Sequence, residues 1–218
     1  QREVTVTGDG WSSEQPYTGS EYKKETYTFS NVVSGETATI TYSIAGTEVG
    51  PYTGTFGDDF KVMKGETETT ANYKLTEKTP GTLTITKSEI AQYVTLSPTD
   101  VEKTYDGTTY TAGTATATDS NGKTVKIEYQ KADGTWTENP AEITATNVAD
   151  SIATINVRAS VEDSYDGYVT GTQKLVISPV VITASVVDKT VTYNGKEQEG
   201  NKEPEFEGLV NGETATIT

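Results

Sequence analysis

The chain has 218 residues, with 17 Lys and Arg against 32 Asp and Glu, and a net charge of -15. It contains neither Cys nor His, which excludes disulfides, thiol or imidazole catalysis and the usual zinc ligands. The negative charge argues against nucleic acid and anionic membrane surfaces as partners, and no apolar run approaches the about 18 residues of a spanning helix. We therefore expect a monomeric chain with no cofactor, no nucleic-acid partner and no membrane insertion.

The predicted elements are strands, because apolar residues alternate with Thr at a period of two. In chain order the predicted strands cover residues 3–7, 37–44, 82–86, 114–118, 152–160, 173–178 and 180–187. Residues 64–72 are predicted to hold one helical turn at most. Gly and Asn adopt positive φ at low cost, so residues 119–123, Asp133-Gly134 and Asn211-Gly212 predict hairpin turns. The pattern indicates an all-β protein.

A repeated Tyr-x-Gly pattern divides the chain at a spacing of 88 residues. The marker pairs are Tyr17 and Gly19, Tyr105 and Gly107, and Tyr193 and Gly195. Residues 33–41 and 210–218 are also identical at eight of nine positions. The repeat predicts one module over 1–86, a second over 87–178 and the start of a third over 179–218. We interpret each marker Tyr as a cap on a module core and each Gly as the turn that follows it.

The modules resemble bacterial repeats of the MBG and YDG types. The segments that carry the resemblance are residues 17–19 (YTG), 33–42 (VSGETATITY), 48–50 (EVG), 72–76 (NYKLT), 81–87 (GTLTITK) and, for the YDG type, 103–107 (KTYDG). The resemblance implies stalk or adhesin segments of large cell-surface or secreted proteins, chiefly of Gram-positive bacteria. It implies an extracellular or cell-wall location and brings no catalytic residue.

The expected architecture is an elongated array of Ig-like β-sandwich modules. A β-grasp-like module with one short helix is the structural alternative. The expected function is a non-catalytic spacer that projects another domain from the cell wall, stiffened by short joints between modules. The functional alternative is a module that binds mucin or another host or dietary glycan.

Candidate chemical sites are few. Trp11 and Trp136 are the candidates for stacking on a sugar ring, although they do not occupy equivalent places in the repeat. Adjacent acids such as Asp58 and Asp59 do not define the cleft between two carboxylates that a glycosidase requires. Calcium held by scattered acids at a joint between modules stays an alternative, as does an intramolecular Lys–Asn isopeptide bond. We predict no catalytic, metal or cofactor residue.

Overall fold

A computed structural model describes residues 1–186, 188–200 and 203–217. Over these residues the chain is all-β, which confirms the predicted class. The described helical segments are 3₁₀ turns at Thr70–Asn72, Ile90–Gln92, Pro140–Glu142 and Val148–Asp150. The first of them lies within residues 64–72, where the sequence predicts a single helical turn. Each of these turns has three residues, and the described part of the chain contains no α-helix, including the short one of the β-grasp-like alternative.

The strands are short and follow one another closely. The first thirteen are β1 (Arg2–Gly8), β2 (Gln15–Pro16), β3 (Tyr22–Lys24), β4 (Tyr27–Ser30), β5 (Thr37–Thr39), β6 (Tyr42–Gly46), β7 (Gly50–Thr53), β8 (Thr55–Phe56), β9 (Lys61–Lys64), β10 (Thr67–Glu68), β11 (Tyr73–Thr79), β12 (Thr82–Thr86) and β13 (Ser88–Glu89). The remaining strands are β14 (Val94–Ser97), β15 (Val101–Thr104), β16 (Tyr110–Thr111), β17 (Thr116–Asp119), β18 (Lys126–Gln130), β19 (Trp136–Thr137), β20 (Thr144–Ala145), β21 (Ile152–Ser160), β22 (Tyr165–Asp166), β23 (Val169–Ser178), β24 (Thr183–Val186) and β25 (Pro204–Glu207).

The chain forms two compact units. Unit 1 comprises residues 1–94, 119–125 and 160–168, and unit 2 comprises residues 95–118, 126–159 and the described part of 169–218. Two loops of the second predicted module, 119–125 and 160–168, therefore belong to unit 1. The module boundaries drawn from the repeat stay a prediction.

Unit 1 is built from small sheets that share apolar faces. β1 lies between β11, which runs parallel to it, and β4, which runs antiparallel. β9 lies between β10 and β5, and β12 lies between β2 and β7. Val4 of β1 and Tyr73 of β11 pack with Val62 of β9, so the first two of these sheets share a core. Their alternating side chains face inward because a strand has a period of two.

Unit 2 is centred on the five-stranded sheet β15-β23-β21-β18-β19. Its buried cluster comprises Ala112, Ala115, Tyr129, Ile143, Ala145, Ile155, Val157, Leu175 and Ile177. Gln173 is buried in this unit with its amide satisfied, since Nε2 donates to Gly113 O at 2.8 Å and Oε1 accepts from Thr99 N at 3.1 Å. Sheet layers that share a core give the Ig-like sandwich arrangement that the sequence predicts.

Three local predictions were wrong in detail. The turn at Asn211-Gly212 is not a hairpin within the described residues, since β25 ends at Glu207 and residues 208–217 contain no strand. The strand predicted over 37–44 is interrupted, because Thr41 donates from N and Oγ1 to Asp59 at 2.8 and 2.5 Å. The turn at 119–123 is not a hairpin, since β17 pairs with β14 whereas β18 belongs to the five-stranded sheet. The hairpin at Asp133-Gly134 does join the antiparallel strands β18 and β19. Of the strand predicted over 180–187, residues 183–186 form β24, and residue 187 lies outside the described residues.

Candidate functional site

The marker tyrosines Tyr17 and Tyr105 occupy the same position relative to a long strand. β2 runs parallel to β12, and β15 runs parallel to β23, up to the residue before each Tyr. Tyr17 N then donates to Thr86 O, and Tyr105 N donates to Ser178 O, both at 2.8 Å. Thr86 and Ser178 are the final residues of β12 and β23. Each Tyr-x-Gly turn therefore begins where the last strand of its predicted module ends.

The three Tyr-x-Gly turns share the φ of their glycine and one side-chain hydrogen bond. The glycine φ is +75° in each. The middle side chain accepts a hydrogen bond from the amide that follows the glycine. These bonds are Ser20 N to Thr18 Oγ1 (3.3 Å), Thr108 N to Asp106 Oδ1 (2.8 Å) and Lys196 N to Asn194 Oδ1 (3.0 Å). Thr, Asp and Asn all form such turns. The Tyr-x-Gly pattern left the residue between Tyr and Gly unspecified. Its restriction to Thr, Asp and Asn could have indicated this side-chain hydrogen bond from the sequence alone.

Two of the marker turns contact an Asn-Gly turn. In unit 1, a Cβ placed on Gly19 would lie 2.5 Å from Cγ and Oδ1 of Asn121. In unit 2, a Cβ on Gly107 would lie closer still to Asn211 Nδ2, and that amide donates to Asp106 O at 3.2 Å. At both positions the positive φ disfavours any residue with a Cβ, and the neighbouring Asn side chain would have to move to admit one. The marker glycines thus serve a turn-to-turn contact as well as the local turn.

In unit 1 a tyrosine cluster of Tyr17, Tyr93 and Tyr165 surrounds the contact. The Tyr165 ring packs edge-on to Tyr17 at 5.6 Å between centroids and stacks on Tyr93 at 5.0 Å. Tyr165 OH donates to Asp119 Oδ1 at 2.7 Å and accepts from Asn121 Nδ2 at 3.0 Å. Burial, with the hydrogen bond to Asp119, raises the pKa of Tyr165 well above its usual value of 10. The cluster holds this phenol neutral.

Polar groups on either side complete the unit 1 contact. Asp119 Oδ2 accepts from the backbone amides of Asn121 and Lys123 at 3.0 and 2.9 Å. Lys123 Nζ lies 5.4 Å from the centroid of the Tyr17 ring and pairs with Glu48 at 2.7 Å. The hydrogen bond to Glu48 raises the pKa of Lys123. The acids at this contact are therefore engaged in holding the turns, which is a structural role.

In the unit 2 contact, a glutamate occupies the position that Lys123 occupies in unit 1. Tyr105 OH donates to Glu213 Oε1 at 2.6 Å, and Glu213 stands two residues after Asn211, as Lys123 stands two residues after Asn121. The hydrogen bond to Glu213 raises the pKa of Tyr105. In both units, the residue after the Asn-Gly pair approaches the marker tyrosine.

Each of the two tryptophans has a cation over its ring. Lys24 Nζ lies 4.5 Å from the Trp11 ring centroid, and Arg158 Cζ lies 4.1 Å from that of Trp136. Arg158 Nε donates to Glu128 at 2.8 Å, which fixes the guanidinium in place. One face of each indole is thereby covered by a cation–π contact. The structure places the two tryptophans in different units and does not bring them together.

The remaining acidic candidates make local contacts. Asp58 pairs with Lys78 at 3.1 Å, and Asp59 binds Thr41. Within the described ranges, no group of three or more carboxylates could hold a metal ion.

No helix in the described residues is long and apolar enough to cross a membrane.

Comparisons with known proteins identify no family for this chain. No family model matches the chain, and no curated protein matches it. Among solved structures it is similar to one described as "Crystal structure of DIP-gamma IG1+IG2", with 11% identity over 79% of this chain and 94% of that chain, and a TM-score of 0.31. A likeness at this level carries no argument about function. The resemblance to MBG and YDG repeats stays a prediction.

Proposed function

We propose that the chain is a run of non-catalytic spacer modules that project another domain of the same protein. The observation that carries the proposal is the repeated turn-to-turn contact. A Tyr-x-Gly turn meets an Asn-Gly turn once in unit 1 and once in unit 2. The two partners of each contact lie about one repeat apart in the sequence, so the contact joins consecutive predicted modules.

The chemistry of the contact suits a mechanical joint. The amides of Tyr17 and Tyr105 hydrogen-bond the final residues of β12 and β23, and an Asn-Gly turn packs directly on the glycine that follows each tyrosine by two residues. A joint packed in this way allows less bending than a flexible linker. The net charge of -15 supports solubility of such a chain. We further propose, from the sequence resemblance alone, a cell-surface or secreted bacterial protein of the MBG and YDG type.

Small-angle X-ray scattering tests the spacer proposal. A module of about 88 residues has a radius of gyration of about 12 Å, so each should add roughly 30 to 40 Å of length. We expect insertion of one further copy of residues 87–178 after residue 178 to raise the maximum dimension by that amount. An unchanged maximum dimension would show that the modules fold back on one another, and it would refute the spacer function.

The alternative, a glycan-binding module, makes a separate prediction. Trp136 lines a cleft with Val157, Gly171 and Thr172, and this cleft is the candidate site for a sugar ring. A glycan array would then show binding that Trp136→Ala abolishes and Trp11→Ala preserves. The spacer proposal expects no reproducible binding by the parent chain or by either variant.

A further inference from the structure

An early strand and the last strand of the second predicted module run side by side in the same direction. β15 pairs with β23 in parallel register, from Val101 opposite Leu175 to Thr104 opposite Ser178. The pairing continues beyond β15, since Tyr105 N donates to Ser178 O at 2.8 Å. Ser178 is the last residue of β23, so the chain leaves this predicted module at the end of the strand that pairs with β15.

Side chains extend the pairing at the start of β15. Asp100 Oδ1 accepts from Lys174 N at 3.0 Å, and Gln173 Oε1 accepts from Thr99 N at 3.1 Å. Gln173 is buried, so the second of these bonds is anchored in the core of unit 2. Lys174 Nζ also forms an ion pair with Glu102. The two segments are therefore joined from the residues before β15 to the residue after it.

Unit 1 repeats this arrangement. β1 pairs with β11 and β2 pairs with β12, both in parallel register. Tyr17 N donates to Thr86 O, as Tyr105 N donates to Ser178 O. In both units, a strand from the early part of a predicted module thus lies parallel to a strand from the end of that module.

We infer that residues 99–105 and 173–178, here called the unit 2 clamp, resist tension along the chain. The inference rests on the proposed spacer function, because a spacer that projects a domain transmits the force that acts on that domain. Tension pulls β15 from its amino-terminal end and β23 from its carboxyl-terminal end, in opposite directions. Because the strands are parallel, this load slides one along the other and strains the evenly spaced hydrogen bonds between them together. Peeling the strands apart from one end would instead break those bonds one after another.

Single-molecule force spectroscopy on the full chain compares these two directions of load. Handles on Ser97→Cys and Pro179→Cys load the unit 2 clamp in shear, whereas handles on Thr108→Cys and Pro179→Cys peel it from its carboxyl-terminal end. All three positions are exposed, and the chain has no other cysteine. We expect the shear pair to unfold at a severalfold higher force than the peeling pair at the same loading rate.

A pair of aspartate variants separates resistance to shear from ordinary stability. Asp100→Ala removes the hydrogen bond to the Lys174 amide at the start of the unit 2 clamp. The matched control Asp133→Ala also removes the bond of an exposed Asp to a backbone amide, that of Thr135, outside the clamp. We expect Asp100→Ala to lower the shear force and to leave the peeling force unchanged, because peeling begins at the opposite end. Asp133→Ala should change neither force.

Equal unfolding forces for the two handle pairs would overturn the inference, as would equal losses of shear force in the two aspartate variants. Neither result would refute the spacer function, which the maximum dimension from scattering tests separately. Conversely, an unchanged maximum dimension together with a higher shear force would refute the spacer and retain a module that resists tension.

Discussion

Replacing Tyr165 with Phe removes one hydroxyl group from the middle of the unit 1 contact and preserves the ring packing. That hydroxyl donates to Asp119 at 2.7 Å and accepts from Asn121 at 3.0 Å. The residue is only 3% exposed, so water does not readily replace either bond. The stacked and edge-on contacts with Tyr93 and Tyr17 need only the ring and should survive.

The expected loss of unfolding free energy is about 2 kcal/mol. A hydrogen bond to a charged group contributes about 1.5 to 3 kcal/mol, and a neutral one contributes about 0.5 to 1.5 kcal/mol. The Asp119 carboxylate keeps two backbone donors on its other oxygen, which reduces the cost of the missing one. The Asn121 amide is only partly buried, so the loss of its hydrogen bond to the Tyr165 hydroxyl should cost a free energy at the low end of the range for a neutral bond.

Urea denaturation followed by tryptophan fluorescence measures this loss in unit 1. A Trp136→Phe background leaves Trp11, which lies in unit 1, as the only tryptophan. The matched control is Tyr193→Phe, because that ring is 90% exposed and its substitution should change the free energy by less than about 0.5 kcal/mol. A Tyr165→Phe loss no larger than that of the control would refute the structural role of the contact.

Three further predictions concern pH and a glycine. Because folding raises the pKa of Tyr165, the stabilisation that its protonated hydroxyl provides is complete below the unfolded pKa near 10 and is lost as the pH rises through the folded pKa. The unfolding free energy should therefore fall above about pH 10, and it should fall less steeply in Tyr165→Phe. At Glu128, burial raises the pKa, but the ion pairs with Arg158 and Lys126 outweigh it and the net pKa is lowered. Its stabilising contribution is therefore present above the ordinary value of 4.5 and lost on acidification, and Glu128→Gln should flatten the acid limb of urea unfolding curves. Gly107→Ala should cost about 1 kcal/mol more in urea unfolding than Gly134→Ala, since both have positive φ but only the first Cβ meets a neighbouring turn.

Each of these outcomes has a contrary result. An alkaline limb identical in the parent and Tyr165→Phe would show that the phenol titrates normally in the fold. An acid limb unaffected by Glu128→Gln would assign the acid sensitivity to other carboxylates. Equal costs for the two alanine substitutions would show that the approach between the Gly107 turn and the Asn-Gly turn does not constrain the fold.

The period-two pattern predicted two strands to the residue, because alternation of apolar and polar side chains follows directly from burial of one strand face. β12 and β21 have the predicted bounds, and in β12 the alternate residues Leu83 and Ile85 are each 1% exposed. The break between β5 and β6 could not be predicted in this way. It depends on Asp59, which lies 18 residues from Thr41 and takes the hydrogen bonds that a continuous strand would have used.

The site was predicted only in part. Sequence reasoning found the marker tyrosines and glycines but interpreted the Asn-Gly pairs as isolated turns. The contact between them is tertiary, so neither partner alone contains the information. One signal was available, since Asn121 follows Gly19 by 102 residues and Asn211 follows Gly107 by 104. A nearly constant separation between two kinds of turn in a repeat indicates that they meet.

The spacer account is tested most directly by the distance between two spin labels, one in each of the first two predicted modules. The chain has no cysteine, so the variants Glu66→Cys and Thr124→Cys introduce the only labelling sites, both at exposed positions of unit 1. We expect one narrow distance distribution, comparable in width to that of the control pair Glu14→Cys and Glu66→Cys within unit 1. A distribution much broader than that of the control pair would show that the modules move independently and would contradict the account.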